Sequence, residues 1–221
     1  RYCIWIENED LDEALSVSEV ADRIARVKRM RAESSDAGTR SMANRPHQFR
    51  EMHSAKQHCI MIPIRSSEAR EYLPVDLLSS ECRPTNLTYV IYDGAISDIS
   101  IVASRLHLVW IAAVCGRMKT DFSYSNKMGW NTFPVPKLTG ANKADLTRCA
   151  EDILLAREAH FPATIADLYD AEKMPENLRA AHERNDTALE EIYIGRRFRN
   201  DTERLEKLFD MYTKMTKKGA A

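Results

Sequence analysis

Apolar residues recur at every second position in some stretches of the chain and at every third or fourth in others, which separates strands from helices. The opening YCIWI (2–6) predicts a buried strand. SVSEVADRIARVKRMRAESSD (16–36) predicts a helix with Ser16 or Ser18 as N-cap and a stripe of Val20, Ile24, Val27 and Met30 or Arg31. Residues 37–57 are polar and irregular, whereas HCIMIPI (58–64) and TNLTYVIYD (85–93) predict strands. SDISIVASRLHLVWIAAVC (97–115) predicts one mostly buried helix closed by Gly116 as a C-cap. GRMKTDFSYS (116–125) then alternates: Lys119, Asp121 and Ser123 fall on one side, Met118, Thr120, Phe122 and Tyr124 on the other. That predicts a strand with an apolar back and a polar front, pairing near Trp130–Phe133.

FPVPKLTGAN (133–142) breaks the pattern with two prolines and a glycine. Helical periodicity follows. One helix is expected over about 142–159 with Leu146, Cys149, Ile153 and Ala156 on one side, and a short one over about 163–169. A third runs from Pro175 to about Tyr193, and the last starts at Asp201 as N-cap and carries Leu205, Leu208, Phe209, Tyr212 and Met215. The fold class is α+β. A mixed α/β domain (1–137) is followed by a small α-helical bundle (138–221).

Composition adds little. The 221 residues are 44% hydrophobic and 29% charged with a net charge of −1, within the ordinary range of soluble domains. Five cysteines, scattered and odd in number, form no C-x-x-C pair, which predicts reduced thiols and a cytoplasmic setting. The longest apolar region, Ile96 to Cys115, is interrupted by Asp98, Arg105 and His107, so no membrane span and no membrane partner are expected. The chain opens directly on a strand-like run without an initiator Met, and is expected to be a piece of a longer protein.

Catalytic signatures are missing. The seven glycines are too far apart for a G-x-G-x-x-G or a P-loop. There is no Asn/Asp-Pro-Pro-aromatic tetrapeptide, no acid two residues before a lysine, and no G-x-S-x-G. His53, His58 and Cys59, with His47 nearby, match no zinc spacing, and no metal is expected. No catalytic residue is assigned.

Charge points to a partner. Arg23, Arg26, Lys28, Arg29, Arg31, Arg40, Arg45, Arg50 and Lys56 outnumber Asp22, Glu33, Asp36 and Glu51 between residues 23 and 56 and at their edge. A basic patch inside a neutral chain suits a phosphate backbone, and equally a solvated helix face. The polar front of 116–125 favours the first. Guanine offers two acceptors to the major groove and cytosine an amino donor. Lysine supplies donors and aspartate acceptors, so Lys119 and Asp121 together match the two halves of one G·C pair.

SRLHLVWIAAVCGRMKTDFSYSNKMGWNTFPVP (104–136) resembles the target-recognition region of MmeI-type (type IIL/IIG) restriction–modification enzymes. In that family a helix like S-x-M-H-x-x-W-x-x-x-V-C-G-R-L leads into a Y-x-Y-S strand and an N-x-F-P-x-P turn. IPIRSSEAREYLP (62–74) is similar to the family's VP-x-x-SSE-x-R-x-x-x-P, and IADLYD, MPENLRAAHERND and LEKLFDMYTKM to its C-terminal helices. Leu106 stands where Met is usual, and Phe122 where Tyr is.

The resemblance implies double-stranded DNA as partner. It also implies a methyltransferase domain in the same polypeptide, with S-adenosylmethionine and magnesium serving other parts of a bifunctional endonuclease and adenine-N6 methyltransferase. By the same resemblance Lys119 and Asp121 read one base pair, Lys/Asp favouring G and Glu/Arg favouring C. Ser123 reads another, and Asn86 to Thr88 hold a further reading position. Arg26, Arg29, Arg65, Ser66, Ser67, Arg70 and Arg117 are the candidates for phosphate contact. Two other readings stay open: a protein–protein docking module of a specificity-type subunit, and a catalytic domain in its own right.

Overall fold

The computed structural model describes residues 2–219. The chain forms two compact units that divide between Ser54 and Ala55.

The first unit is built around α1 (Leu11–Ser16), α2 (Ser18–Ala32) and α3 (Ala37–Ser41), followed by a 3-10 turn at Met42–Asn44. The helix expected over 16–36 is α2, whose N-cap is Val17, without a side-chain bond, and neither Ser16 nor Ser18; α1, just before it, is not among the expected elements. Ser18 turns its hydroxyl to the Glu19 carboxylate at 2.9 Å instead of capping. Val20, Ile24, Val27 and Arg31 form the half-buried stripe, and Met30 points to solvent. Arg31 closes the unit by donating to the Met42, Arg45 and Gln48 carbonyls at 3.2, 2.8 and 2.8 Å. Residues 2–6 join no ladder among the described residues, so the predicted buried strand is absent: Tyr2 and Ile4 are exposed, Trp5 stacks on Phe49, and Ile6 is buried.

In the second unit β1 (His58–Pro63) is central to an antiparallel sheet with β3 (Asp76–Ser79) on one side and β4 (Thr88–Tyr92) on the other. Between them β2 (Arg65–Ser66) leaves β1 to pair elsewhere. Asp93, at φ 50°, accepts from the Lys56, Gln57 and His58 N–H groups at 2.8–3.3 Å and fixes the start of β1 against the end of β4. Neither β2 nor β3 stands out in the sequence, because both are short and lack a clean alternation.

The apolar run 97–115 is two helices, α4 (Ile96–Val102) and α5 (Arg105–Val114), bent by 58°. The break has a chemical cause. Ser104 caps α5 by accepting from the His107 N–H at 3.1 Å, and the Asp186 carboxylate takes the Arg105 N–H at 2.8 Å. Two acceptors hold amide groups that a continuous helix would have bonded internally. Burial raises the Asp186 carboxyl to about 6. No single helix among the described residues is long and apolar enough to cross a membrane.

The helical tail comprises α6 (Gly140–Glu158), α7 (Ile165–Leu168), α8 (Glu176–Ile194) and α9 (Asp201–Gly219). Thr139 and Asn142 form a reciprocal capping box at α6, and Gly195, at φ 73°, ends α8 in the left-handed conformation glycine tolerates. Pro175 is the N-cap of α8, and the Asn200 side chain, not Asp201, caps α9 by accepting from the Glu203 N–H at 3.0 Å. α6 buries Leu146, Ala150, Ile153 and Arg157, so Cys149 and Ala156 lie at the edge of its stripe. These helices do not stand apart from residues 55–137: α6 packs on α4 and α9 on α5. Trp110 of α5, Phe133, Leu146, Leu189, Tyr193 and Leu208 share one core, and Leu208 is fully buried. Leu208→Ala is expected to cost about 2–5 kcal/mol, read as a lower denaturation midpoint. A smaller cost would mean that the site collapses around the lost methyls.

Candidate nucleic-acid interface

Residues 116–125 are not one strand. β5 (Gly116–Met118) and β6 (Asp121–Ser123) form a hairpin whose two-residue loop is Lys119–Thr120. Lys119 has φ 56°, a left-handed value that non-glycine residues rarely adopt. Lys119 therefore sits at the tip, and Lys119 and Asp121 are not same-face neighbours on a strand as the alternation predicted. The expected partner strand near 130–133 is a single π-helical turn, Asn126–Trp130. β6 pairs instead with β2, giving a second antiparallel sheet in the order β2-β6-β5. Gly116 opens β5 and is not a left-handed helix cap.

The alternation does hold along β6. Phe122 and Tyr124 are buried in the core with Ile60, Ile62 and Ile111, while Asp121 is exposed and Ser123 half-exposed. Tyr124 Oη lies 3.1 Å from His107 Nε2. Burial lowers the imidazole to about 3 and raises the phenol, so the pair is neutral and acts as a fixed base for the hairpin. Directly opposed residues of an antiparallel pair share a face. The pairings Arg65↔Ser123, Met118↔Asp121 and Gly116↔Ser123 thus assemble an outer face of Arg65, Ser123, Asp121 and Met118, with Lys119 at its end.

Ile64 joins this face to the first sheet. Its N–H donates to the Leu87 carbonyl at 3.0 Å, and its carbonyl accepts from the Tyr124 N–H at 2.8 Å. Thr88 pairs with Pro63, and Asn86 is exposed in the turn that precedes it. Residues 63–66 therefore bring the 86–88 turn alongside Ser123, although the two lie 35 residues or more apart in the chain. Sequence spacing cannot show that juxtaposition.

The other candidates separate. Arg65 is exposed on the outer face. Ser66 is 4% exposed and accepts from Arg70 at 3.5 Å, so its side chain points away from solvent. The Ser67 hydroxyl accepts from the Ala69 N–H at 3.3 Å in a local turn. Arg117 is engaged: its Nη1 donates to the Thr120 carbonyl at 2.7 Å and to Glu68 Oε2 at 3.1 Å, and its guanidinium lies 4.9 Å from the Phe122 ring centre. Glu68, within the SSE-x-R stretch, was not a sequence candidate, and its N–H also reaches the Asp121 carboxylate at 3.4 Å. In the first unit Arg26 and Arg29 are exposed on α2, Arg26 beside a groove of about 610 Å³ lined with Val20, Ile24 and Val27. His58 bonds the Gly94 carbonyl at 2.8 Å and His47 lies 3.0 Å from the Asn8 amide oxygen. Among the described residues no three His, Cys, Asp or Glu side chains group as metal ligands do.

A short polar sheet facing solvent, anchored by buried aromatics on a helical base, defines the class of a recognition module: it offers donors and acceptors on a fixed frame. Known proteins give that class its family. The family model "MmeI, target recognition domain" matches residues 1–137, and "MmeI, C-terminal domain" matches residues 138–219. The chain belongs to the MmeI target recognition domain family of restriction–modification enzymes, and carries that family's C-terminal domain behind it. DNA methyltransferase A of Bacillus subtilis (strain 168) is 38% identical over 218 residues, covering 99% of this chain and 25% of the relative. A solved structure of the type IIL restriction–modification enzyme MmeI in complex with DNA superposes with a TM-score of 0.91 at 29% identity, over 97% of this chain and 29% of that one. The chain thus spans about a quarter of the length of the relatives it matches. The two family matches meet at 137/138, whereas packing divides the molecule at 54/55.

Proposed function

We propose that this chain selects the DNA sequence on which a longer adenine-N6 methyltransferase, fused to an endonuclease, acts. The outer face of the second sheet and its tip enter the major groove: Lys119 and Asp121 read one base pair, and Ser123 with Asn86 and Thr88 reads its neighbours. Arg65, beside Ser123 by register, contributes to the same face, while Ser67, Arg70, Arg26 and Arg29 contact phosphates. Ser66 leaves the phosphate set because it is buried, while Arg117 is exposed and bonds Glu68 and the Thr120 carbonyl. The observation that carries the reading is the anchored hairpin, which fixes Asp121 and Ser123 outward by burying Phe122 and Tyr124. S-adenosylmethionine and magnesium belong to the methyltransferase and nuclease parts, the first of which is this chain's partner within one cytoplasmic polypeptide.

Phosphate contact has a measurable signature. Binding to duplex DNA is expected to fall steeply with salt, because neutralised phosphates release counterions. Arg26→Glu with Arg29→Glu is expected to weaken binding to all sequences alike and to flatten the salt slope, without changing which sequence is preferred. Titrations of matched and unmatched duplexes at several salt concentrations check this. Unchanged affinity would mean that α2 faces away from DNA.

A further inference from the structure

We infer that Glu68 and Arg117 are positioning residues that hold the tip of the hairpin in its reading conformation. The inference rests on the proposed reading of DNA by Lys119 and Asp121 and extends it to two residues that touch no base.

The hairpin should be soft by itself. Its ladder is three residue pairs long, Gly116 to Asp121 are all exposed, and the loop places Lys119 at φ 56° with no glycine to relieve it. Short two-stranded ribbons are marginal in water, and a strained backbone conformation persists only where its surroundings over-determine it. Residue 68, from the loop after β2, supplies that determination at both ends of the turn. Its carboxylate accepts from Arg117 Nη1 at 3.1 Å, and its N–H reaches the Asp121 carboxylate at 3.4 Å. The same Arg117 nitrogen donates to the Thr120 carbonyl, inside the loop, at 2.7 Å. The guanidinium is oriented by the face of Phe122, its opposite number in the ladder and the residue that anchors β6 in the core. A chain of contacts thus runs from the core through Phe122 and Arg117 to the loop carbonyl, and from Glu68 to both Arg117 and Asp121. Charge-assisted bonds with fixed geometry suit such a task better than an isolated surface ion pair, which contributes little.

A phosphate-contacting Arg117 and a positioning Arg117 predict different outcomes. If Arg117 neutralised a phosphate, its loss would weaken all sequences equally and Glu68, a competing anion, would be dispensable. If the pair positions the tip, loss of either residue blurs one base pair and leaves the others.

The test is methylation-site sequencing in cells that express the full-length polypeptide carrying this chain. It is run as wild type, Glu68→Gln, Arg117→Gln, both together, and, as a separate arm, Lys119→Glu with Asp121→Arg. Glu68→Gln and Arg117→Gln are each expected to lose about tenfold of the discrimination at the one position where the charge-exchanged arm differs from wild type. The double variant is expected to be no worse than the worse single one, as for residues that act as a unit. Glu68→Gln removes only an exposed charge and keeps the amide bond to Asp121, so it decides the matter if Arg117→Gln does not accumulate. A uniform fall at every position with Arg117→Gln, with Glu68→Gln silent, overturns the inference in favour of a phosphate contact. Unchanged preference in Glu68→Gln and Arg117→Gln overturns it as well. A relaxed position in these variants beside an unaltered site in the charge-exchanged arm would instead show that Lys119 and Asp121 do not read bases.

Discussion

Lys119→Glu with Asp121→Arg is expected to reverse the preference at one base-pair position from G to C. A lysine donates toward guanine O6 and N7, and an aspartate accepts from the cytosine amino group; exchanging the signs matches the exchanged pair. The two positions are compatible with the change. Lys119 lies at the exposed tip, Asp121 is the first, exposed residue of β6, and neither side chain supports the core; Asp121→Arg gives up the 3.4 Å bond from the Glu68 N–H but sets a guanidinium beside the Glu68 carboxylate. Good base contacts discriminate by about 1–3 kcal/mol, so the reversal should be nearly complete at that position and absent elsewhere. Single exchanges should damage recognition without redirecting it, because an acid facing guanine O6, or two cations facing a cytosine amine, sets like partners against each other. Methylation-site sequencing reads the result. An unaltered site would mean that the tip does not touch bases.

The second large effect concerns the frame. Glu190 of α8 is fully buried, yet it accepts from Arg204 Nε and Nη2 at 2.8 and 2.6 Å, from Arg197 Nε at 2.7 Å and from the Phe198 N–H at 2.9 Å. One carboxylate thus ties α8, the loop after it and α9. Glu190→Ala takes the acceptor from Arg204 Nε and Nη2, in a residue that is 8% exposed, and leaves it only Asp201, bonded to Nη1 at 2.8 Å, as counter-charge. Breaking a buried, hydrogen-bonded pair by removing one partner costs roughly 3–5 kcal/mol. Glu190→Gln should cost less, because the amide oxygen still accepts. Urea denaturation checks both, and a loss below about 1 kcal/mol for Glu190→Ala would show that Asp201 or water satisfies Arg204 in its place. Arg105 and Asp201, paired at 2.5 Å across α5 and α9 at partly exposed positions, should matter less than Glu190.

What was legible in the sequence was local composition and period. β1 and β4 follow from their β-branched and aromatic residues, α6, α8 and α9 from helical stripes, and the helical character of the C-terminal region is legible after the prolines at 134 and 136. What escaped depended on contacts from far along the chain. The bend between α4 and α5 is made by Asp186, more than 80 residues away, capturing an amide in what reads as a continuous apolar helix. The hairpin turn was hidden because Lys119-Thr120 carries no glycine or asparagine, and the contacts beside it come from Glu68 and from Arg117, which bonds the Thr120 carbonyl. Residues 2–6 have the composition of a strand, but a strand needs a partner, and among the described residues none pairs with them. Among the site residues, the outward pair Asp121 and Ser123 was readable from alternation with Phe122 and Tyr124. The placement of Asn86 and Thr88 beside them was not, since it is made by Ile64 bonding to both sheets.

The central claim is that this chain carries the choice of DNA sequence. The most direct measurement replaces the matching 218-residue segment of Bacillus subtilis DNA methyltransferase A with this chain and sequences the methylated sites in cells. Exchanging the whole chain keeps its internal packing, from the β2–β6 ladder to the α8–α9 contacts, intact. The account predicts that the chimera methylates a new sequence, the one selected by this chain in its own full-length polypeptide. Retention of the host enzyme's original site would place the choice elsewhere and contradict it.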